Sequence, residues 1–195
     1  MDTGHNPFGD WALSGSASYG PPPSVFGALP YPQSNSSAGV TTLTFTAMNP
    51  NILDCLVIDA QSTVQFRVSS NTSPVFSGIR DAGGTTIALI EWRAHPTVEI
   101  RGIVLKQDVQ SWLALTSGTQ SPSRLMTIGN QRYYWVPVRD DINLYTTAST
   151  PQVIASINRG SNAVTLSLYP TAMEPGLMKA CVVATVLLQS ARNID

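Results

Sequence analysis

Few side chains in this 195-residue sequence are equipped for chemistry: two cysteines, Cys55 and Cys181, two histidines, His5 and His95, and twelve acids. A catalytic thiol needs a neighbouring cation or a helix N-terminus to hold it as thiolate. Cys55 instead sits in Leu53-Asp54-Cys55-Leu56 and Cys181 in Ala180-Cys181-Val182. Such apolar settings describe buried, unreactive thiols. A Cys55–His95 dyad is the residual route to a cryptic enzyme, and an aliphatic strand cysteine is a poor nucleophile for it. No histidine or cysteine pair has zinc-ligand spacing. Asp140 and Asp141 are adjacent, so on a strand they would point to opposite faces, and at a turn they would cap or solvate it. Gly83-Gly84 is a hairpin signal and not a phosphate loop. The expectation is a protein with no catalytic residues, no metal and no cofactor, hence not an enzyme.

The aromatic residues offer a different chemistry. In Arg132-Tyr133-Tyr134-Trp135, alternation places Tyr133 and Trp135 on one face and Arg132 and Tyr134 on the other. Outward aromatic rings beside arginine can hold a ligand or partner by stacking and cation–π contacts. Arg132, Tyr134, Trp92, Trp112 and Arg93 are therefore the candidate ligand or partner surface. The opposing reading makes these rings core or sheet shielding, because large aromatics usually bury most of their area.

Composition narrows the partners. Only 12% of residues are charged, the hydrophobic fraction is 43% and the formal net charge is −1. No basic run marks a nucleic-acid surface or a polybasic membrane patch. The segment Met1 to Pro7 has neither a basic nor an apolar leader character, so a cytoplasmic location is expected. The apolar run from Leu177 to Leu188 contains Lys179 and is shorter than the ~20 residues a transmembrane helix needs.

These residues must be positioned by something. Residues 1 to about 40 are rich in Pro, Gly and Ser, with Asp2 and Asp10 as the only charges, a composition that predicts a disordered tail. From Thr41 the chain reads as about twelve short alternating or β-branched segments separated by turn formers. Two of these segments run from Thr97 to Val104 and from Ser111 to Leu115. Asp81-Ala82-Gly83-Gly84, Gly129-Asn130 and Arg159-Gly160-Ser161-Asn162 favour tight hairpins, and thus antiparallel pairing. The last element, 174–192, reads as a helix: it is too long for a strand, with Pro175 in its first turn. Val182, Val183, Val186, Leu187 and Leu188 leave it no polar face, so strands must surround it.

The succession Ala88-Leu89-Ile90-Glu91-Trp92, Ser111-Trp112-Leu113, Gly129-Asn130-Gln131-Arg132-Tyr133-Tyr134-Trp135, Val153-Ile154-Ala155 and Leu166-Ser167-Leu168-Tyr169-Pro170 leads into this helix. It resembles an uncharacterised family of fungal proteins related to the tubby C-terminal and LURP-one-like fold. The resemblance spans about Thr41 to Arg192 and implies a closed antiparallel β-barrel around a C-terminal hydrophobic helix, with 41–195 as one domain. These are packing residues, so it brings no catalytic set. Tubby-like relatives include phosphoinositide-binding domains, but their Lys-rich phosphate pocket has no counterpart here, Lys106 and Lys179 being the only lysines. Two roles follow as expectations: an interaction or ligand-binding module for an unknown protein or lipid partner, or a peripheral membrane domain that binds phospholipid or phosphoinositide.

Overall fold

The computed structural model describes residues 39–49, 51–72, 75–116 and 122–195. The expected tail lies outside the described residues, apart from its last two positions. Thirteen strands form one antiparallel sheet. They are β1 (Thr41–Thr46), β2 (Cys55–Ile58), β3 (Val64–Thr72), β4 (Val75–Asp81), β5 (Thr86–Glu91), β6 (Thr97–Ile100), β7 (Val104–Asp108), β8 (Leu113–Thr116), β9 (Ser123–Ile128), β10 (Gln131–Val138), β11 (Asp141–Thr146), β12 (Val153–Arg159) and β13 (Val164–Leu168). A helical turn, α1 (Val109–Trp112), joins β7 to β8, and the helix α2 (Pro175–Gln189) follows a 3-10 turn at Pro170–Met173.

The spatial order runs from β7 down to β1, then from β13 down to β8. Every neighbouring pair is a sequential hairpin except β1–β13, where Thr41 pairs with Leu168 and Phe45 with Val164. The ladder is thus a meander whose two halves are zipped together by its first and last strands. Its two edges, β7 and β8, are adjacent in the chain and separated only by α1, four residues that advance about 6 Å. No β7–β8 pairing completes the ladder among the described residues, which corrects the expected closed barrel: α1 occupies the seam.

The turns behave as their chemistry requires. Asp81 accepts from the backbone N–H of Gly84 through its carbonyl and from that of Thr85 through its carboxylate, both at 2.9 Å. Gly84 adopts φ +81°. The segment expected as one strand over Thr97 to Val104 is two strands, because Gly102 at φ +73° reverses the chain between them and makes the total thirteen. The strand expected from Ser111 begins as α1 instead and becomes extended only at Leu113.

Alternation decides the faces. Phe66 and Val68 of β3 are buried while Arg67 is exposed, and in β13 Val164, Leu166 and Leu168 are buried with Thr165 and Ser167 half-buried. These inward residues and α2 belong to one buried core. Every residue from Ala180 to Ser190 is buried, about three turns, so all sides of the helix are covered and not one stripe alone. A flat layer cannot do this; the sheet curls round the helix. Val182, Val183, Val186, Leu187 and Leu188 all lie in this core, and each contributes roughly 1.5–3 kcal/mol by leaving water. Thr185 fits the dry interior because its hydroxyl donates to the Cys181 carbonyl one turn back, at 2.8 Å.

The helix is shorter than the expected 174–192. It stops at Gln189, where the Ser190 hydroxyl donates to the Leu187 carbonyl at 2.8 Å and Ala191 turns to φ +56°.

Candidate functional site

The five residues expected to form an aromatic surface do not assemble into one. Trp92, just after β5, is buried; its Nε1 donates to Ser77 Oγ at 2.8 Å and the Arg192 guanidinium lies 4.9 Å from its ring centre. Trp112, in α1, is buried as well, with Nε1 donating to the Thr127 carbonyl at 3.1 Å. Both rings therefore face the core, which withdraws them from the expected surface. Trp92 and Trp112 have spent their single donors inside the fold. Arg93 is exposed and ion-paired to Glu91 at 3.1 Å. On β10, Trp135 is buried, Tyr133 packs against the core, Tyr134 is half-buried and Arg132 is exposed. The alternation of that strand is as expected, and Arg132 and Tyr134 share the outer face without the two tryptophans.

The thiols are poor nucleophiles. Burial, with the nearby Asp54 charge, pushes the Cys55 thiol up to about 12, and its Sγ donates to the Ile52 carbonyl at 3.2 Å. Cys181 is raised further by its complete burial. His95 is exposed. No group of three or more potential metal ligands exists among the described residues, and no described helix is long and apolar enough to cross a membrane.

A different constellation stands at the open end of the curled sheet where α2 terminates. Helix α2 runs from the Leu168 end of β13 towards the Val164 end, so its last residue, Gln189, arrives between two loops. One is the β1–β2 loop with Thr46, Ala47, Met48, Asn51 and Ile52; the other is the β12–β13 hairpin from Arg159 to Val164. Together with Gln189 they line a pocket of about 540 Å³.

Gln189 is only 4% exposed, and neither its carboxamide oxygen nor its nitrogen has a hydrogen-bond partner among the described residues. A buried polar group in that state costs about 1–3 kcal/mol. Among the described lining residues Arg159 alone is charged, and it is exposed with no ion pair to another described residue. Met48, Ile52, Ala163 and Val164 supply apolar wall.

The walls are held from behind. The Leu53 N–H donates to Asn51 Oδ1 and the Asp54 N–H to the Asn51 carbonyl, at 2.9 and 3.0 Å. The Ser70 hydroxyl donates to the Leu53 carbonyl at 2.7 Å, so across the 2.7 Å contact between the two serines Ser77 must be the donor. Trp92 Nε1 donates to Ser77 in turn, giving a relay with one direction from Trp92 to the pocket loop. The opposite wall is pinned where the Gly160 N–H donates to the Ala163 carbonyl at 2.9 Å. The buried Trp92 thus acts on this site from behind it, as a fastener.

Sequence reasoning did not find Gln189. The one available signal was a polar residue at the end of an otherwise apolar run, directly after Leu188.

An antiparallel sheet curled around a C-terminal helix defines a β-rich domain, and the chain matches a known family over residues 49–194. It belongs to DUF6593, a family of unknown function. No curated protein matches the chain. A solved structure of an Arabidopsis thaliana protein is similar, with 11% sequence identity, a TM-score of 0.44, and coverage of 78% of this chain and 90% of that one.

Proposed function

We propose that this chain is a non-enzymatic ligand-binding module whose site is the pocket at the C-terminal end of α2. The observation that carries the reading is the Gln189 carboxamide, buried beside the pocket with neither polar atom partnered among the described residues. Folding leaves such a group unsatisfied where it has another use, since the same position filled by Leu or Met would be cheaper. The absence of an activated nucleophile at either cysteine supports the non-enzymatic part. In the same proposal the sheet is a tubby-like barrel sealed by a helical seam in place of a thirteenth pairing, supported by the short α1 connection and the burial of α2 on all sides.

The phospholipid alternative draws less support. Lys106 is bonded to Glu91 and Lys179 is half-buried on α2, so neither belongs to a phosphate-binding cluster. Sedimentation at low salt with phosphatidylcholine vesicles, with and without phosphatidylinositol bisphosphate, separates the readings. The protein is expected in the supernatant in both cases; co-sedimentation with the phosphoinositide vesicles would replace the pocket reading with the membrane one.

A further inference from the structure

The seam between β7 and β8 is one that the sheet's own strands cannot close. Thirteen strands in alternating directions leave the two ends of the ladder, β7 and β8, running parallel. Parallel neighbours need a connection of about a dozen residues, and α1 supplies four. Among the described residues no main-chain hydrogen bond joins β7 to β8 or β9. Alongside β7 the seam stays open as a cleft of about 220 Å³, with Ile103, Leu105 and Gln107 on one side and Trp112, Thr127 and Gly129 on the other. Leu105 is 88% exposed there, and Lys106, the residue type that guards such an edge, is engaged by Glu91.

We infer that this edge is taken by the chain's own segment 24–29, added to β7 as an antiparallel strand. The run Ser24-Val25-Phe26-Gly27-Ala28-Leu29 is uncharged, has the usual length of a strand, and is bounded by Pro23 and Pro30, which cannot donate within a ladder. The point of entry fits. Gly39 packs on Pro170 and Gly176 packs on Ile103, so Gly39 and the cleft are separated by no more than the chain from Pro170 to Gly176, about 20–25 Å at full stretch. Ten residues carry the chain from Leu29 to Gly39 and span up to about 35 Å. Entry beside Ile103, at the start of β7, also sets the direction: Leu29 falls at the Val104 end and Ser24 at the Asp108 end. The added strand is then antiparallel to β7, and so to β8, and continues the alternation of the ladder. The cleft is smaller than the roughly 300–1,000 Å³ of small-molecule sites and suits the side chains of a strand laid along it. A bulge sets Leu105 and Lys106 opposite Glu99 alone and bends this edge, which opposes flat pairing of two copies, whereas the short tether holds the chain's own segment close by.

The test uses the full chain labelled with 15N. The outward main-chain amides among residues 104–108 are expected to exchange with deuterated water about tenfold faster once Val25→Asp and Phe26→Asp are introduced together, while those of β12 keep their rates. A disulfide gives the second readout. Leu105→Cys with Ala28→Cys should oxidise to a link within one chain, both native thiols being buried, and about tenfold more slowly when the two aspartate changes are also present. Equal exchange at β7 with and without the aspartate changes, or a crosslinking rate that they leave unaltered, overturns the assignment. Edge protection that fades on dilution, with the disulfide joining two chains, gives the edge to a second copy and overturns it as well.

Discussion

Arg124 and Asp195, 71 positions apart in sequence, form a two-pronged ion pair: Nη1 meets Oδ1 at 2.9 Å and Nη2 meets Oδ2 at 2.7 Å. The guanidinium is completely buried on β9, and its Nη1 also donates to the Leu113 carbonyl on β8 at 2.9 Å. One arginine thereby ties the segment that follows α2 to the two strands beside the seam. The neighbouring Ile194 is fully buried and plugs the same end.

Removing the acid alone should be costly, because it takes a two-pronged carboxylate partner from a buried cation. Asp195→Ala is expected to lose about 2–3 kcal/mol in urea unfolding, less than a fully buried pair because the carboxylate is 35% exposed. The double change Arg124→Met with Asp195→Ala should recover part of that loss, since it withdraws the buried charge as well. A double variant less stable than Asp195→Ala would show that the arginine holds this end chiefly through the Leu113 carbonyl.

Edge strand β7 is fastened by a second acid. Glu91, buried at the end of β5, is held below its ordinary value of 4.5 mainly by the hydrogen bond from Lys106 on β7, with Arg93 adding its charge. A carboxylate with a depressed folded pKa stabilises fully above its unfolded value, and that contribution fades as pH falls through the folded value. The stability gap between the parent and Glu91→Gln should be constant around neutrality and shrink below about pH 4.5. A gap that persists unchanged at pH 3 would mean the glutamate acts by packing and not by charge.

Both thiols should be silent in the folded state. With Cys55 raised to about 12 and Cys181 higher still, almost no thiolate exists at pH 8, and burial blocks access besides. Reaction with a disulfide reagent at pH 8 is expected to be slow for the native protein and to reach two thiols per chain only after denaturation. Rapid labelling of Cys55 in the native protein would revive thiol chemistry for this fold.

Much of the architecture was legible because strands with one dry face leave a two-residue rhythm, as in Val64-Gln65-Phe66-Arg67-Val68. A helix without a polar face also announces its own enclosure. The turn at Gly102 was harder to read: it sits inside Ile100-Arg101-Gly102-Ile103-Val104, whose β-branched residues continue the strand pattern across the reversal. The seam was not legible at all, since which strands fail to pair is decided by curvature and not by any local residue. The directions of the aromatic side chains were legible only within strands. Alternation divided β10 into two faces, of which Arg132 and Tyr134 take the less buried one, but Trp92 and Trp112 lie where strands end, and there the two-residue rhythm gives no direction. Gln189 looks, in sequence, like a helix emerging into solvent. Its burial comes from loops near residues 50 and 160 that only the β1–β13 pairing brings together.

Gln189 itself carries the clearest trade between stability and binding. Its two polar atoms are desolvated on folding and no described residue returns a hydrogen bond, so a side chain of similar length and no polar atoms should fold more tightly. Gln189→Met is expected to raise the unfolding free energy by roughly 1 kcal/mol, seen as a shift in the urea midpoint at unchanged slope. Gln189→Glu should do the reverse, because it places a charge in the same dry position, and the loss should diminish at acidic pH where the new carboxyl is neutral. A parent protein that already matches or exceeds the Met variant in stability would mean that the carboxamide is satisfied in solution, by water held in the pocket, and its claim to a waiting ligand would lapse.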